Sequence, residues 1–426
     1  MVRKLFILIV VSIVIIACKK ENSTSKTPIV FVHGFLAAGD TYEKQVKRFA
    51  SNGYSLDELY AFDYNTLDVI NNPENSLDKF IDDVLAKTNA RKINLVGHSR
   101  GAILVYDYCK KYEQSKKVEN LVLLAGLKQG GAGGQSGNLP TLNIYSADDK
   151  IMTFGGDIRG VKNLRLFKKD HYEVATCEAT FETIFQFLNK IKPSTLDIVE
   201  EDKIILSGKA VSFGENIPQA GTIVEVFEVN TNTGYRINSK PNAIFTTDAA
   251  GHWGDFEAKK STHYEFVVYN PSVPKNRKVH YYREPFLRSD QLVYLRSFPE
   301  DGSLASMFLA SLPQDDDKSV VAFFGASQSV VSGRDVLKVN GYNYSNNIFA
   351  TESNTTIALF MYDDNKNNRT DNSSIPSFAL FPFLKGADVY FQTQTPETIL
   401  FELNGRKIPV YNWKSKTEGV GVAVFE

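Results

Sequence analysis

The sequence predicts an α/β fold with a doubly wound, mostly parallel sheet, followed by an all-β region of sandwich or barrel type. Two observations carry this prediction. Over residues 28–192, short apolar runs alternate with amphipathic stretches, and this alternation is typical of a parallel sheet that helices cover on both faces. After residue 193 the chain changes to short β-rich runs separated by Gly, Asn, Asp and Pro, which indicates a sandwich or a barrel.

The individual elements follow in order along the chain. Each candidate strand is a short apolar run, and each candidate helix has apolar residues at helical spacing. The strands of the α/β part are IVFVHG, LYAFDY, INLVGH, NLVLLAG, TLNIYS and LRLF, and its helices lie near residues 42–51, 76–88, 100–113 and 173–191. The strands of the β-rich part are TIVEVFEV, YEFVVY, QLVYLRSF, SVVAFFG, TIALFMY, DVYFQTQ and TILFEL.

The change from alternating strands and helices to short β-rich runs predicts the domain organisation. At 426 residues with 43% hydrophobic residues, the chain can form two or three domains with full cores. We predict a signal peptide at 1–17, a tether at 18–27, an α/β domain at 28–195 and a β-rich region at 200–426. Prolines near residue 271 are typical of a connector, so a finer division of the β-rich region near 279–289 is also considered.

The N-terminus has the features of an export signal. Arg3 and Lys4 precede an apolar run over residues 5–17, which is shorter than the roughly 20 residues of a membrane-spanning helix. The end of this run, Ile16-Ala17-Cys18, resembles the lipobox of bacterial lipoproteins. This resemblance implies that Cys18 is lipidated, and we expect an exported protein that a lipid anchors to a membrane of the bacterial cell envelope. An ordinary signal peptide with an incidental cysteine and an uncleaved membrane anchor are the alternatives.

The charge pattern excludes some partners. The net charge is −1 and Lys and Arg are scattered, so there is no basic surface that would indicate nucleic acid. The glycine-rich stretch GGAGGQSG lacks the Gly-Lys-Ser/Thr ending of a phosphate-binding loop. We therefore predict no nucleic-acid partner and no cofactor, and the sequence indicates no protein partner.

The run INLVGHSRGAILVYDYC places Ser99 where a strand turns directly into a helix. Such a bend leaves little room for side chains, and Gly97 and Gly101 relieve the crowding. The serine is then presented at the tip of a strained turn with a helix N-terminus behind it, the arrangement of a nucleophile elbow. Ser99 is therefore the candidate nucleophile.

A serine nucleophile needs a base that is held by an acid, and in this kind of fold their order is serine, acid, histidine. Among six histidines, His171 is the one that follows both the elbow and the strand LRLF and still lies in the α/β part. The loop after NLVLLAG has no carboxylate, whereas TLNIYS is followed by Asp148 and Asp149. Either aspartate is a candidate for orienting the imidazole.

A tetrahedral intermediate also needs two hydrogen-bond donors for its oxyanion. The elbow provides the backbone N–H of Arg100 at the start of the helix. The second donor is expected in the loop after the first strand, VFVHGFLAAG, where the N–H of Phe35 is preferred and that of Leu36 is the alternative.

These motifs together resemble the α/β-hydrolase lipases. The matching residues are His33-Gly34-Phe35, Gly97-His98-Ser99-Arg100-Gly101, Asp149 and His171. The spacing after the acid in these lipases favours Asp149 over Asp148. The later stretches TDAAGHWGDFEA and YYREPFLRSDQLVYLR are similar to an archaeal type of long-chain lipase with a C-terminal β-domain. The resemblance implies hydrolysis of carboxylic esters, with lipid or ester substrates, and a β-domain involved in lipid binding.

Two alternatives stay open at this level. The first is a surface lipoprotein that binds lipid or host molecules on an inactive hydrolase scaffold. The second concerns residues 363–371, DDNKNNRTD, where oxygen-bearing side chains alternate as they do in calcium loops but without the central glycine and final glutamate of an EF-hand. A solvated turn is the simpler interpretation, and no metal ion is predicted at the catalytic residues.

Overall fold

A computed structural model describes most of the chain: residues 26–68, 70–272, 277–299, 302–351, 356–380, 383–394 and 397–426. The predicted signal peptide, Cys18 and most of the tether lie outside the described residues. Within the described ranges, no helix combines the length and the apolar character that crossing a membrane would require.

The first part of the chain alternates strands and helices as predicted. The strands are β1 Ile29–Val32, β2 Leu59–Phe62, β3 Ile93–His98, β4 Val118–Leu124, β5 Thr141–Ser146 and β6 Lys162–Leu166, and the helices are α1 Glu43–Ser51, α2 Glu74–Thr88, α3 Arg100–Cys109, α4 Tyr112–Lys116, α5 Glu173–Thr176 and α6 Glu178–Asn189. Short 3₁₀ helices cover Gly39–Tyr42 and Leu56–Glu58. All six strands pair in parallel in the order β2-β1-β3-β4-β5-β6, which confirms the predicted fold class.

Helices cover both faces of this sheet. Successive strand residues point to opposite faces: Phe31 of β1 packs with Phe49 of α1, whereas Val30 and Val32 belong to the cluster of Ile81 from α2. The sheet is therefore doubly wound, and the carboxyl ends of its strands meet at one edge, where α/β proteins place their ligands.

The second part of the chain is β-rich. Its elements are β7 Ile204–Ser212, β8 Ile223–Val229, β9 Ala243–Thr246, β10 His252–Ala258, β11 His263–Tyr269, β12 Val279–Arg283, β13 Leu295–Ser297, α7 Leu304–Leu309, β14 Val320–Gly325, β15 Leu337–Val339, β16 Tyr342–Asn343, β17 Ala358–Tyr362, β18 Leu384–Asp388, β19 Thr398–Leu403, β20 Arg406–Tyr411 and β21 Val420–Phe425. A 3₁₀ helix spans Pro376–Leu380.

An eight-stranded sheet organises this region, with the order β18-β17-β14-β21-β12-β11-β8-β9. The sheet β10-β7-β13 shares a core with one of its faces, and the sheet β16-β15-β19-β20 shares a core with the other. Strand β12 lies between β11 and β21, so strands from both sides of the boundary considered near 279–289 form one sheet.

The two parts of the chain share a buried boundary. Val211 and Leu292 of the β-rich region belong to a hydrophobic core cluster of the α/β domain. Arg283 donates to both carboxylate oxygens of Glu43, each at 2.7 Å, and both side chains are almost completely buried. Because an unpaired charge is costly in such a place, this ion pair fixes how the two parts meet.

Candidate active site

Ser99 lies at the junction of β3 and α3 in a conformation that most residues avoid. Its φ is +55° and its ψ is −120°, outside the common regions for a residue with a side chain. A Cβ at Gly97 would lie 2.5 Å from the carbonyl oxygen of Gly101, and a Cβ at Gly101 would collide with the carbonyl of Val32. The two glycines therefore allow the sharp turn that presents the serine.

His171 and Asp149 lie together beside the elbow. The Nδ1–H of His171 donates to Oδ2 of Asp149 over 2.7 Å, and both side chains are buried. Oδ1 of Asp149 accepts the backbone N–H groups of Ile151 and Met152, each at 2.8 Å. Burial opposes ionisation of this carboxyl, but the bonds from His171 and from the two N–H groups hold its pKa below the ordinary value. Asp149 is therefore an ionised acceptor that fixes the imidazole tautomer.

The neighbouring Asp148 is directed elsewhere. It is exposed, and its Oδ2 accepts the backbone N–H of Lys168 at 2.6 Å. The structure thus brings Asp149, and not Asp148, into contact with His171.

The second ring nitrogen of His171 is free. Nε2 is buried and has no hydrogen-bond partner among the described residues, and His171 and Ser99 line the same cavity. A neutral imidazole whose Nδ1 carries the proton presents Nε2 as an acceptor. The imidazole can therefore take a proton from a hydroxyl in this cavity.

The expected oxyanion donors lie at the same place. In the part of the chain that the structure describes, the backbone N–H groups of Phe35 and Arg100 have no acceptor, whereas the N–H of Leu36 donates to Oγ1 of Thr66 at 2.9 Å. Leu36, the alternative donor, is therefore already engaged. A Cβ at Gly34 would lie 2.9 Å from the Cβ of Ser99, so the loop that carries Phe35 touches the elbow.

His98 is a site residue to which sequence reasoning assigned no role. Its Nε2–H donates to the backbone oxygen of His171 at 2.9 Å, and the two rings lie 4.8 Å apart. Burial and the neighbouring His171 lower the pKa of His98 to about 3, so it is a neutral donor that holds the His171 backbone. The signal in the sequence was its place beside Ser99 inside the elbow.

An apolar cavity opens at Ser99. About 130 Å³ of it is open to the centre of a water-sized sphere. The eight-stranded sheet forms much of the wall: Tyr281, Val422, Ala322 and Phe360 are cross-strand neighbours in successive strands, and all four line the cavity. The wall also carries the ion pair of Asp40 with Arg296, whose guanidinium donates to both carboxylate oxygens at 2.8 Å. Most of this wall could not be assigned from the sequence.

Two groups of oxygen ligands elsewhere are already paired within the protein. Carboxylate oxygens of Glu43, Asp290 and Glu426 lie within 4.8 Å of one another, and the ammonium of Lys47 lies within 2.9 Å of a carboxylate oxygen of each residue. In the loop at 363–371, Asn365 and Asn367 donate to the carboxylate of Asp371. Both groups therefore have hydrogen-bond or ion-pair partners within the protein.

Comparisons with known proteins give independent matches to both parts of the chain. Residues 26–125 match the family model of class 2 lipases, residues 202–299 match that of the lipase C-terminal domain, and residues 323–425 match a further C-terminal domain model. The abhydrolase domain-containing protein abhd-5.2 of Caenorhabditis elegans is 34% identical over 124 residues, which cover 26% of this chain and 27% of that protein. The chain thus spans about a quarter of that relative's length.

Part of the chain is also similar to solved structures. MenH from S. aureus has a TM-score of 0.32 at 14% identity, covering 40% of this chain and 96% of its own. The carboxylesterase CesB from Bacillus subtilis has a TM-score of 0.31 at 11% identity, covering 39% of this chain and 85% of its own. The two lipase matches, one on each side of the boundary between the parallel sheet and the β-rich region, support an α/β-hydrolase lipase with a C-terminal domain.

Proposed function

We propose that the protein is a serine hydrolase that cleaves carboxylic esters, acting as a lipase on acylglycerols or other long-chain acyl esters. One observation carries the proposal: an elbow serine and a buried His171–Asp149 pair open into one apolar cavity. Serine, base and acid are the parts that acyl transfer needs, and an apolar cavity is the environment that an acyl chain needs.

The proposed reaction proceeds through an acyl-enzyme. Nε2 of His171 takes the proton of the Ser99 hydroxyl while Oγ attacks the ester carbonyl carbon. The backbone N–H groups of Phe35 and Arg100 stabilise the oxyanion, and Asp149 stabilises the imidazolium. Nε2–H then protonates the departing alkoxide. Water, deprotonated by the same imidazole, releases the acid and restores the hydroxyl of Ser99.

The cavity favours long acyl chains as substrates. Each buried methylene contributes about 0.8 kcal/mol, and the wall beyond Ser99 offers Val279, Leu309, Phe360 and Val420 as contacts. An enzyme for small polar esters would have no use for this surface.

The direct test uses a chromogenic ester. The wild-type protein should hydrolyse p-nitrophenyl butyrate, and Ser99→Ala should lose nearly all activity while it keeps its melting temperature, since a small hydroxyl adds little to packing. Activity that survives in folded Ser99→Ala would refute the proposal. A folded wild-type protein without activity on any ester would favour the alternative, an inactive lipid-binding lipoprotein.

The place of action is a second proposal, which rests on the N-terminal sequence. We propose that the protein is exported and anchored in the bacterial envelope by acyl chains on Cys18. Metabolic labelling with an alkyne-tagged palmitate should mark the full-length protein in a bacterial host, and Cys18→Ala should abolish the label. Equal labelling of both forms would contradict lipidation at Cys18.

A further inference from the structure

The turn that carries His171 is held from the β-rich region. Nη1 of Arg334 donates to Oδ2 of Asp170 at 3.0 Å and to Oε2 of Glu173 at 2.5 Å. These two carboxylates flank His171 in the sequence, and Arg334 lies about 160 residues further along the chain. One guanidinium thus joins the two domains directly at the candidate base.

The two carboxylates also shape the turn itself. Oδ1 of Asp170 accepts the backbone N–H groups of Tyr172 and Glu173, at 2.8 and 2.9 Å, and Oε2 of Glu173 accepts the N–H of Asp170 at 3.0 Å. Burial and the neighbouring Asp170 carboxylate raise the pKa of Glu173, so two adjacent anions are costly here. Arg334 pairs with both carboxylates, and the ammonium of Lys169 pairs with Oε1 of Glu173 at 2.9 Å; these positive charges let both anions stay in place.

Arg334 is itself fixed on the β-rich region. Its Nη2 donates to the backbone oxygen of Ser329 at 2.6 Å, and its Nε donates to Oδ2 of Asp335 at 2.9 Å. Asp335 in turn accepts the N–H of Val331 and the side-chain amide of Asn404. Because Nε, Nη1 and Nη2 are all hydrogen-bonded, the guanidinium has a fixed position on the β-rich region and can hold the turn in place. A mobile surface arginine could not do this.

Other contacts join the same turn to the same region. The hydroxyl of Tyr172 donates to the backbone oxygen of Ala326 at 3.1 Å, and that of Thr176 donates to the backbone oxygen of Ser327. The ring of Phe383 stacks on the imidazole of His171 with 6.4 Å between centroids. The β-rich region therefore supports His171 before, at and after its place in the chain.

We propose that Arg334 is a positioning residue for ester hydrolysis, which holds the turn of His171 through Asp170 and Glu173 so that Nε2 meets the Ser99 hydroxyl. The inference rests on the proposed function of Ser99 and His171. If Arg334 has this role, the hydrolysis of small soluble esters also depends on the β-rich region, although these substrates do not need the apolar cavity. A displacement of about 1 Å at a reacting group can cost about 100-fold in rate.

The test compares matched variants of the full-length protein on p-nitrophenyl butyrate. Arg334→Gln should lower kcat by about 10- to 100-fold with KM within about twofold of wild type, because geometry and not substrate binding is lost. Arg334→Lys should recover part of the rate, since its ammonium keeps the charge. A residue that only stabilises the fold would lower the melting temperature and leave kcat unchanged.

The control is Arg288→Gln. Arg288 also bonds across the domain boundary, to the backbone oxygen of Ala50 in α1 at 3.3 Å, and it pairs within the β-rich region with Glu201 at 2.8 Å; both contacts lie away from the turn of His171. Its loss should leave kcat at the wild-type value. Equal kcat in Arg334→Gln and Arg288→Gln would overturn the positioning role, and an inactive wild type would instead overturn the proposed function.

A second variant covers failure of Arg334→Gln to fold. Asp170→Asn keeps the Oδ1 acceptor for the two N–H groups of the turn, and it replaces the charged Oδ2 that accepts from Arg334 with an amide NH2 that cannot accept. It should also lower kcat without a change in KM. A folded Asp170→Asn with wild-type kcat would overturn the inference as well.

Discussion

The α/β domain and the β-rich region contribute different things to the same site. All the proposed reacting groups come from the α/β domain, where each lies at or just beyond the carboxyl end of a strand. The β-rich region contributes most of the apolar wall and the contacts that hold the turn of His171. The reacting groups thus lie on short strand–turn segments. The wall of the substrate cavity and the contacts that position His171 come from residues far apart in the chain.

The difference shows why neither region is complete alone. A parallel sheet can present Ser99, His171 and Asp149 at one edge, but that edge is open to water unless another surface covers it. The face of the eight-stranded sheet supplies this cover. Each prediction below changes a residue on one side of the boundary or at the boundary itself.

The largest effect is expected inside the α/β domain. Asp149→Asn should lower kcat by about 10⁴-fold, because an amide at this place strands the imidazole in the wrong tautomer. Asp148→Asn is the matched control and should stay near wild type, since that carboxylate is exposed and bonded to Lys168. Ester turnover of the two purified variants decides the matter, and the reverse order would move the acid to Asp148.

The next effect concerns stability at the boundary. Arg283→Met leaves Glu43 buried without its guanidinium and should reduce the free energy of unfolding by about 3–5 kcal/mol. Arg406→Met removes a more exposed arginine, which pairs with Glu284, and should cost about 0–1 kcal/mol. Urea unfolding measures both. Equal losses would show that the boundary is not a buried part of the fold.

A third prediction acts on the wall of the cavity. Ala322 is buried on β14 and lines the cavity, so Ala322→Trp should fill space that an acyl chain would use. Excluding about three methylenes removes about 2.4 kcal/mol, or about 60-fold in kcat/KM on a long-chain p-nitrophenyl ester, while the butyrate ester is barely affected. Ala322→Ser keeps the space and should keep the chain-length profile. A proportional loss on both esters would place the acyl chain elsewhere.

The smallest effect depends on pH. Asp63 is buried and accepts bonds from Lys209 at 2.7 Å and from Tyr294 at 2.6 Å, both in the β-rich region. Burial opposes its ionisation, but Lys209 holds its pKa below the ordinary 3.8. The stability that it contributes is therefore present above that value and lost as the pH falls through the lowered pKa.

Asp63→Asn tests the direction of this pH dependence of stability. The free energy of unfolding of the variant should be about 2 kcal/mol lower than that of wild type at pH 7. This difference, the gap, should shrink once the pH falls below about 4. Chemical unfolding at a series of pH values measures the gap. A gap that stays constant or grows in acid would contradict the assignment.

The sequence was informative wherever a few adjacent residues determine a structure. The run around Ser99 contains its own strand, glycines and helix, and the parallel sheet follows from regular alternation. The strand pairing of the β-rich region is harder to predict. Strand β12 pairs with β21, some 140 residues further along the chain, and no local sequence pattern predicts that pairing. The cavity wall and the role of Arg334 depend on such pairings and could not be read from the sequence.

The most direct test of Ser99 as nucleophile is covalent labelling of the full-length protein with an alkyl organophosphonate, followed by mass spectrometry of its peptides. We expect one adduct, on Ser99, that forms much more slowly in His171→Ala and is absent in Ser99→Ala. An adduct on another residue, or a folded wild-type protein that takes up no label, would contradict the claim that Ser99 is a nucleophile activated by His171.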